Sequence, residues 1–316
     1  MILSKSSFAI FFALIFSLVY ASVLQSLPFE GLADRTSYLN YARNSQFLLL
    51  DSYSKGIISL IINEPIFRLL NVGLSLLFSP EGVVRAIVFI ASFLFSFILL
   101  KSNPKYLFIL AIFLITPWVL KNFTIHLRQG LGMTVFFLGY FSSGRFYRYT
   151  LIGLSPLVHV SFFFIIPLLV IPHLYRKIPF GSDVRFVILS IFPIFIIFAL
   201  EIVAVTVGAR QVNEYSDNTL HGSGLGFVFW CGIAGIFILQ GATFLRQNQV
   251  AFGVLFLYVI CYFFLEPVSR IFVSGLPIVL LAGLTLNKWR RPLFIFAYLS
   301  MGIIQWIMPS ARPIPF

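Results

Sequence analysis

The sequence predicts an all-α, polytopic integral membrane protein built as a single transmembrane domain over residues 1–316, and three observations carry that prediction. Apolar residues fill 59% of positions, whereas Asp, Glu, Lys and Arg together fill only 10%. Aromatic residues are abundant, with 39 Phe and 13 Tyr, and mean hydropathy reaches +0.99. Such values belong to chains solvated by lipid. The third observation is the recurrence of apolar runs close to the ~20 residues that cross a bilayer as helix.

In chain order the runs are 7–24, 57–78, 83–100, 106–120, 131–141, 149–174, 184–207, 225–245, 250–265, 271–286 and 293–308. The first follows Lys5 and has no small-x-small cleavage site after it, so it reads as a spanning helix rather than a signal peptide. Residues 57–78 are interrupted by Asn63-Glu64-Pro65, and 149–174 by Pro156, His159 and Ser161. Proline inside a membrane helix frees backbone groups that must be satisfied by protein or water. These two segments are therefore candidates for broken or re-entrant elements. With that latitude the chain makes about nine to eleven crossings.

Basic loops tend to stay inside. Arg145/Arg148, Arg176/Lys177, Arg246 and Lys288/Arg290/Arg291 all fall on one side if 149–174 returns to the side it entered. That arrangement puts 121–129, 209–222, 266–270 and the C-terminus outside. The longest polar connections, 25–56 and 209–222, are the expected outer loops, and long loops in compact proteins are often functional.

The net charge of +12 does not indicate nucleic acid, because the 22 Lys and Arg are scattered through short loops, where a nucleic-acid footprint would concentrate them on one face. Cys231 and Cys261 lie in apolar runs, as inert core thiols do. No metal-ligand spacing, Gly-rich phosphate loop or nucleophile elbow is present, so no cofactor and no metal are expected.

What stands out is a mixed polar set near the outer face: Asp34, Arg35, Tyr38, Tyr41, Arg43, Glu64, His126, Arg128, Gln129, His159, Arg210, Glu214, Tyr215, Asp217, His221, Glu266 and Arg270. Arg128-Gln129 precedes Gly130-Leu131-Gly132 at a helix start. Free amides there favour an anion, and a guanidinium grips carboxylate or phosphate with two donors. An isolated Arg would snorkel to headgroup phosphates instead; Gln129 and the glycines bring the two readings level. His159 follows a proline. It is either a hydrogen-bonded core histidine or a general base needing little tuning. Glu64 and Glu266 each precede a proline, where a carboxylate can simply face a helix dipole. Arg270 can pair with Glu266 at i,i+4. Tyr38 and Tyr41 share a helical face, as an interface belt or a sugar-stacking surface. His126 and His221 read as solvated loop residues.

These residues also form an ordered pattern. Asp34-x-x-x-Tyr38, Glu64-Pro65-Ile66-Phe67, Arg128-Gln129-Gly130-Leu131-Gly132, His159-Val160-Ser161 and a late Arg270 resemble the motifs of the EpsG/Wzy-type bacterial polysaccharide polymerase family. The departures are Ile66 for the usual Gly, Gly132 for Ala and Val158 for Phe. The resemblance implies a GT-C-like membrane glycosyltransferase in the bacterial cytoplasmic membrane, with its active site facing the periplasm. It would join undecaprenyl-diphosphate-linked oligosaccharide repeat units into O-antigen, capsule or exopolysaccharide without a metal. Arg128 would hold the diphosphate, oriented by Gln129 and assisted by Arg270. His159 would be the general base, with Glu64 or Asp34 competing for that role. Tyr38, Tyr41, Arg35, Glu266 and Arg210 would contact substrate. Expected partners are the lipid-linked oligosaccharide, the bilayer and a polysaccharide chain-length regulator. A lipid-linked oligosaccharide flippase and an O-antigen ligase would use much the same residues.

Overall fold

The computed structural model describes residues 5–32, 34–175, 188, 191–195, 224–263, 268–308 and 313. Among these residues the regular structure is entirely helical. The chain divides into two compact units: Met1–Val160 with Leu299–Phe316, and Ser161–Tyr298.

The first unit is organised on α5 (Pro80–Ser102), an apolar helix opened by Ser79, whose hydroxyl accepts from the Gly82 amide, with Pro80 at its first position. Both are strong helix-start features. The helix packs against α1 (Lys5–Ser26) on one side and α8 (Leu127–Tyr140) on another. The α8 contact includes a hydrogen bond from the Thr134 hydroxyl to the Ala91 carbonyl at 2.9 Å. Between them run α2 (Arg35–Ser54), α3 (Ile57–Ile62), α4 (Pro65–Ser75), α6 (Leu107–Leu114) and α7 (Pro117–Thr124), and α9 (Arg145–Val158) follows.

Breaks fall where the sequence places them at Glu64 and at His159, and also where it does not. The run 106–120 reads as one span, yet its helices bend by 67° at Ile115–Thr116 before Pro117. Proline bars the preceding residue from helical geometry, so the first segment must end there. The expected outer loop 25–56 is mostly helix, because α2 occupies residues 35–54. Its polarity is inverted. Arg35, Tyr38, Ser45 and Ser52 are buried, while Phe47, Leu50 and Tyr53 are exposed, which hid the helix from a search for an inward apolar stripe.

By length and composition, two helices among the described residues can cross a membrane, Ser7–Ser26 and Pro80–Ser102, or three if the bent pair 104–124 is one span. This compares with the nine to eleven crossings read from apolar runs, since many of those runs are interrupted into shorter helices.

The second unit contains α10 (Phe162–Tyr175), α11 (Leu225–Leu239), α12 (Ala242–Gln247), α13 (Gln249–Cys261), α14 (Val268–Leu284) and the first half of α15 (Arg290–Ile307). Its core is aromatic: Phe272 meets Trp230 edge to face and Tyr258 at a tilt, with ring centroids 4.6 and 4.7 Å apart. The run 225–245 is divided at Gln240–Gly241, where Gly241 takes φ +98°. The segment 209–222, expected to be an outer loop, and most of 184–207 lie outside the described residues.

Candidate functional site

Three breaks in helical structure bring three polar side chains to one point in the first unit. Glu64 lies between α3 and α4 with φ 58° and ψ 57°. Pro65 at the first position of α4 keeps Glu64 out of the right-handed helical region, and the resulting turn directs the carboxylate inward, leaving the residue 2% exposed.

Arg128 stands in the first turn of α8. Its depth is set by Gly130, where a Cβ would lie 2.2 Å from the Asn122 carbonyl oxygen. The missing side chain is what lets α8 lie directly on the backbone of α7. The sequence pattern suggests a glycine serving anion approach; the structure gives Gly130 to helix packing.

His159 ends α9 in extended conformation, φ −152° and ψ 129°. Pro156 inside that helix cannot donate to the Ile152 carbonyl. The Ser155 hydroxyl does so instead, at 2.7 Å. The helix therefore survives to Val158, and the His159 amide still reaches the Ser155 carbonyl at 3.0 Å.

At the meeting point, one Glu64 carboxylate oxygen accepts from Arg128 Nη1 at 2.7 Å and the other lies 2.6 Å from His159 Nδ1. The Glu64 side chain is 3% exposed, His159 13% and Arg128 29%, so the imidazole and guanidinium open outward from a sealed carboxylate. Arg128 also lies over the Tyr41 ring, 5.3 Å from its centroid, a favourable cation–π distance. Its Nη1 is 3.4 Å from the Tyr41 hydroxyl. Tyr38 borders the same guanidinium but is 4% exposed and packs on Phe67, so its ring is committed to the core.

One residue of this neighbourhood escaped the sequence reading. Arg68, one turn after Glu64 on α4, is 7% exposed and donates to the Leu48 carbonyl and the Ser52 hydroxyl on α2. It straps α2, and with it Tyr38 and Tyr41, to α4. Its signal was a single basic residue in a largely apolar helix, four positions after Glu64. Glu64 is paired with Arg128, and Arg68 lies within electrostatic reach of the same carboxylate. Breaking such buried charge pairing by removing one partner typically costs about 3–5 kcal/mol.

Other candidates stand elsewhere. Asp34, with φ 65° at the start of α2, lies 3.5 Å from His126 Nδ1, which makes His126 a polar partner of Asp34 rather than a free loop residue. Arg35 is 1% exposed and its Nε donates to the Thr124 carbonyl at the end of α7, a contact that satisfies a helix C-terminus. Gln129 is buried beside Arg128. Arg270 is exposed in the first turn of α14, in the second unit. Glu266 and Arg210 lie outside the described residues.

Helices long and apolar enough to cross a bilayer, in the same unit as a guanidinium–carboxylate–imidazole cluster, fit a membrane protein with the groups for anion binding and proton transfer. The EpsG family model matches residues 8–313, and the chain belongs to that family. Comparison with curated proteins and with solved structures gives no significant match. Family membership points to a polysaccharide polymerase-type role, of glycosyltransferase-like character.

Proposed function

We propose that this protein polymerises oligosaccharide repeat units carried on undecaprenyl diphosphate, at the outer face of the bacterial cytoplasmic membrane, as a GT-C-like glycosyltransferase that needs no metal. The observation that carries the reading is the junction of Arg128 and His159 on Glu64, which sets an anion-binding group beside a proton acceptor.

In this reaction the hydroxyl of the terminal sugar on one carrier attacks the anomeric carbon of a chain on another. The new C–O bond forms as the bond from that carbon to the diphosphate oxygen breaks, and the lipid diphosphate leaves with the electron pair. Arg128 binds that diphosphate and stabilises its developing charge, a task fixed donors perform with large effect. His159 takes the hydroxyl proton. Tyr41 holds the guanidinium over its ring. Arg270 remains a candidate second cation, and Asp34 belongs to a different pair. The acceptor sugar would meet residues around 25–56, and a polysaccharide chain-length regulator is a further proposed partner.

The test is reconstitution of the purified protein in bilayers with lipid-linked repeat units. Elongation of the oligosaccharide by wild type, and its loss in Arg128→Ala with membrane insertion intact, is the expected result. Movement of intact lipid-linked repeats across the bilayer without bond formation would make the protein a flippase. Transfer only to a separate lipid core would make it a ligase.

A further inference from the structure

We propose that Glu64 is a positioning residue and not the proton acceptor: it holds His159 with the proton on Nδ1, which leaves Nε2 to receive the sugar hydroxyl's proton, and it fixes Arg128 alongside. The chemistry rests on the glycosyl-transfer reading above, whereas the state of the imidazole does not.

The geometry removes Glu64 from direct contact with substrate. Its two oxygens are taken, one by Arg128 Nη1 at 2.7 Å and one by His159 Nδ1 at 2.6 Å, and its side chain is 3% exposed. A sugar hydroxyl could reach this carboxylate only by displacing one of them. Nor can the residue readily swing out. It occupies left-handed backbone, φ 58°, between Asn63 and Pro65, a conformation that in a non-glycine residue persists where its surroundings dictate it.

The same contacts define the imidazole. An ionised carboxylate only accepts, so a hydrogen bond to it from neutral His159 requires the proton on Nδ1. The lone pair then lies on Nε2, which is neither hydrogen-bonded nor sealed in the interior among the described residues. The charged and titratable groups facing Glu64 are Arg128 from α8, His159 from the end of α9, Tyr38 from α2 and Arg68 from its own helix. Arg68 is engaged with the Leu48 carbonyl and Ser52 hydroxyl, so Arg128 and His159 are the groups that Glu64 orients. One carboxylate thereby sets the spacing between the diphosphate grip and the base, as an orienting acid does for the base in hydrolase triads.

The experiment uses the full chain in lipid nanodiscs, labelled with 15N-histidine and assigned by loss of the His159 signal in His159→Gln. Wild type should show His159 protonated at Nδ1 and unprotonated at Nε2. Glu64→Ala should release it to a mixture of tautomers, and Glu64→Asp should restore part of the original signal. In elongation assays Glu64→Ala should lower kcat by on the order of 10²–10⁴-fold, with a smaller change in KM and partial rescue by Glu64→Asp. A wild-type His159 protonated at Nε2 instead, or a Glu64→Ala protein with unchanged tautomer or near-normal kcat, overturns the assignment. The wild-type spectrum decides the matter even if Glu64→Ala fails to fold. The expected spectrum with no elongation by wild type would overturn the polymerase reading and leave the Glu64–His159 relationship standing.

Discussion

Glu64 and His159 are 95 positions apart and meet at 2.6 Å, each from a non-helical residue beside a helix end. The same carboxylate reaches Arg128 at 2.7 Å.

Arg128→Lys keeps the charge and loses the planar fork that spans two phosphate oxygens. The variant should insert and fold, while elongation of lipid-linked repeats falls on the order of 10²–10³-fold. Single-turnover kinetics in bilayers measure this, and near-normal elongation would take Arg128 out of diphosphate binding.

His159→Ala removes the proposed proton acceptor. Turnover should drop on the order of 10²–10⁴-fold, while affinity for undecaprenyl diphosphate, held by Arg128, stays within a few-fold. Titration of that lipid alongside the rate measurement separates the two effects. Equal loss of both would place His159 in substrate binding.

Tyr41 holds Arg128 mainly through its ring face, at 5.3 Å, since the hydroxyl contact at 3.4 Å is long. Tyr41→Phe should therefore bind diphosphate almost normally. Tyr41→Ala should weaken binding by about 0.5–2 kcal/mol. If Tyr41→Phe proves as weak as Tyr41→Ala, the hydroxyl carries the effect.

Gly130→Ala places a Cβ 2.2 Å from the Asn122 carbonyl oxygen. Backbone cannot yield as a side-chain tip does, so α8 must shift away from α7, at about 1–3 kcal/mol or more. A lowered thermal midpoint in detergent is expected. Gly153→Ala on α9, where nothing lies within 4 Å of the added carbon, is the control and should unfold like wild type.

Arg68→Met should loosen α2 from α4, because the guanidinium joins them through the Leu48 carbonyl and Ser52 hydroxyl. Faster hydrogen exchange along residues 35–54 is the expected signature, with α5 unchanged. Uniform exchange across both helices would show that Arg68 supports the unit as a whole.

The membrane character and the all-helical class were legible in composition, because lipid solvation demands apolar side chains and internally bonded backbone. The breaks at Glu64-Pro65 and near His159 were legible for a local reason, since proline restricts its own backbone and that of its neighbour. The bend before Pro117 followed the same rule but lay inside an unbroken apolar run. Helix α2 was missed because its buried face is polar, with Arg35, Tyr38, Ser45 and Ser52 inward.

By itself, then, the sequence determined the membrane character of this protein, its helical class, the breaks beside Pro65 and Pro156 and most of its chemically able residues, all of which depend on local composition and short-range backbone sterics. Only the tertiary structure decided that Glu64, Arg128 and His159 form one cluster, that Arg35 satisfies the end of α7, that Asp34 faces His126 and that Arg68 straps α2 to α4. Those pairings join residues far apart in the chain. Their distances depend on how α9 packs against α4 and α8, and how α4 and α8 pack on α5, and side-chain spacing along one helix carries no record of that.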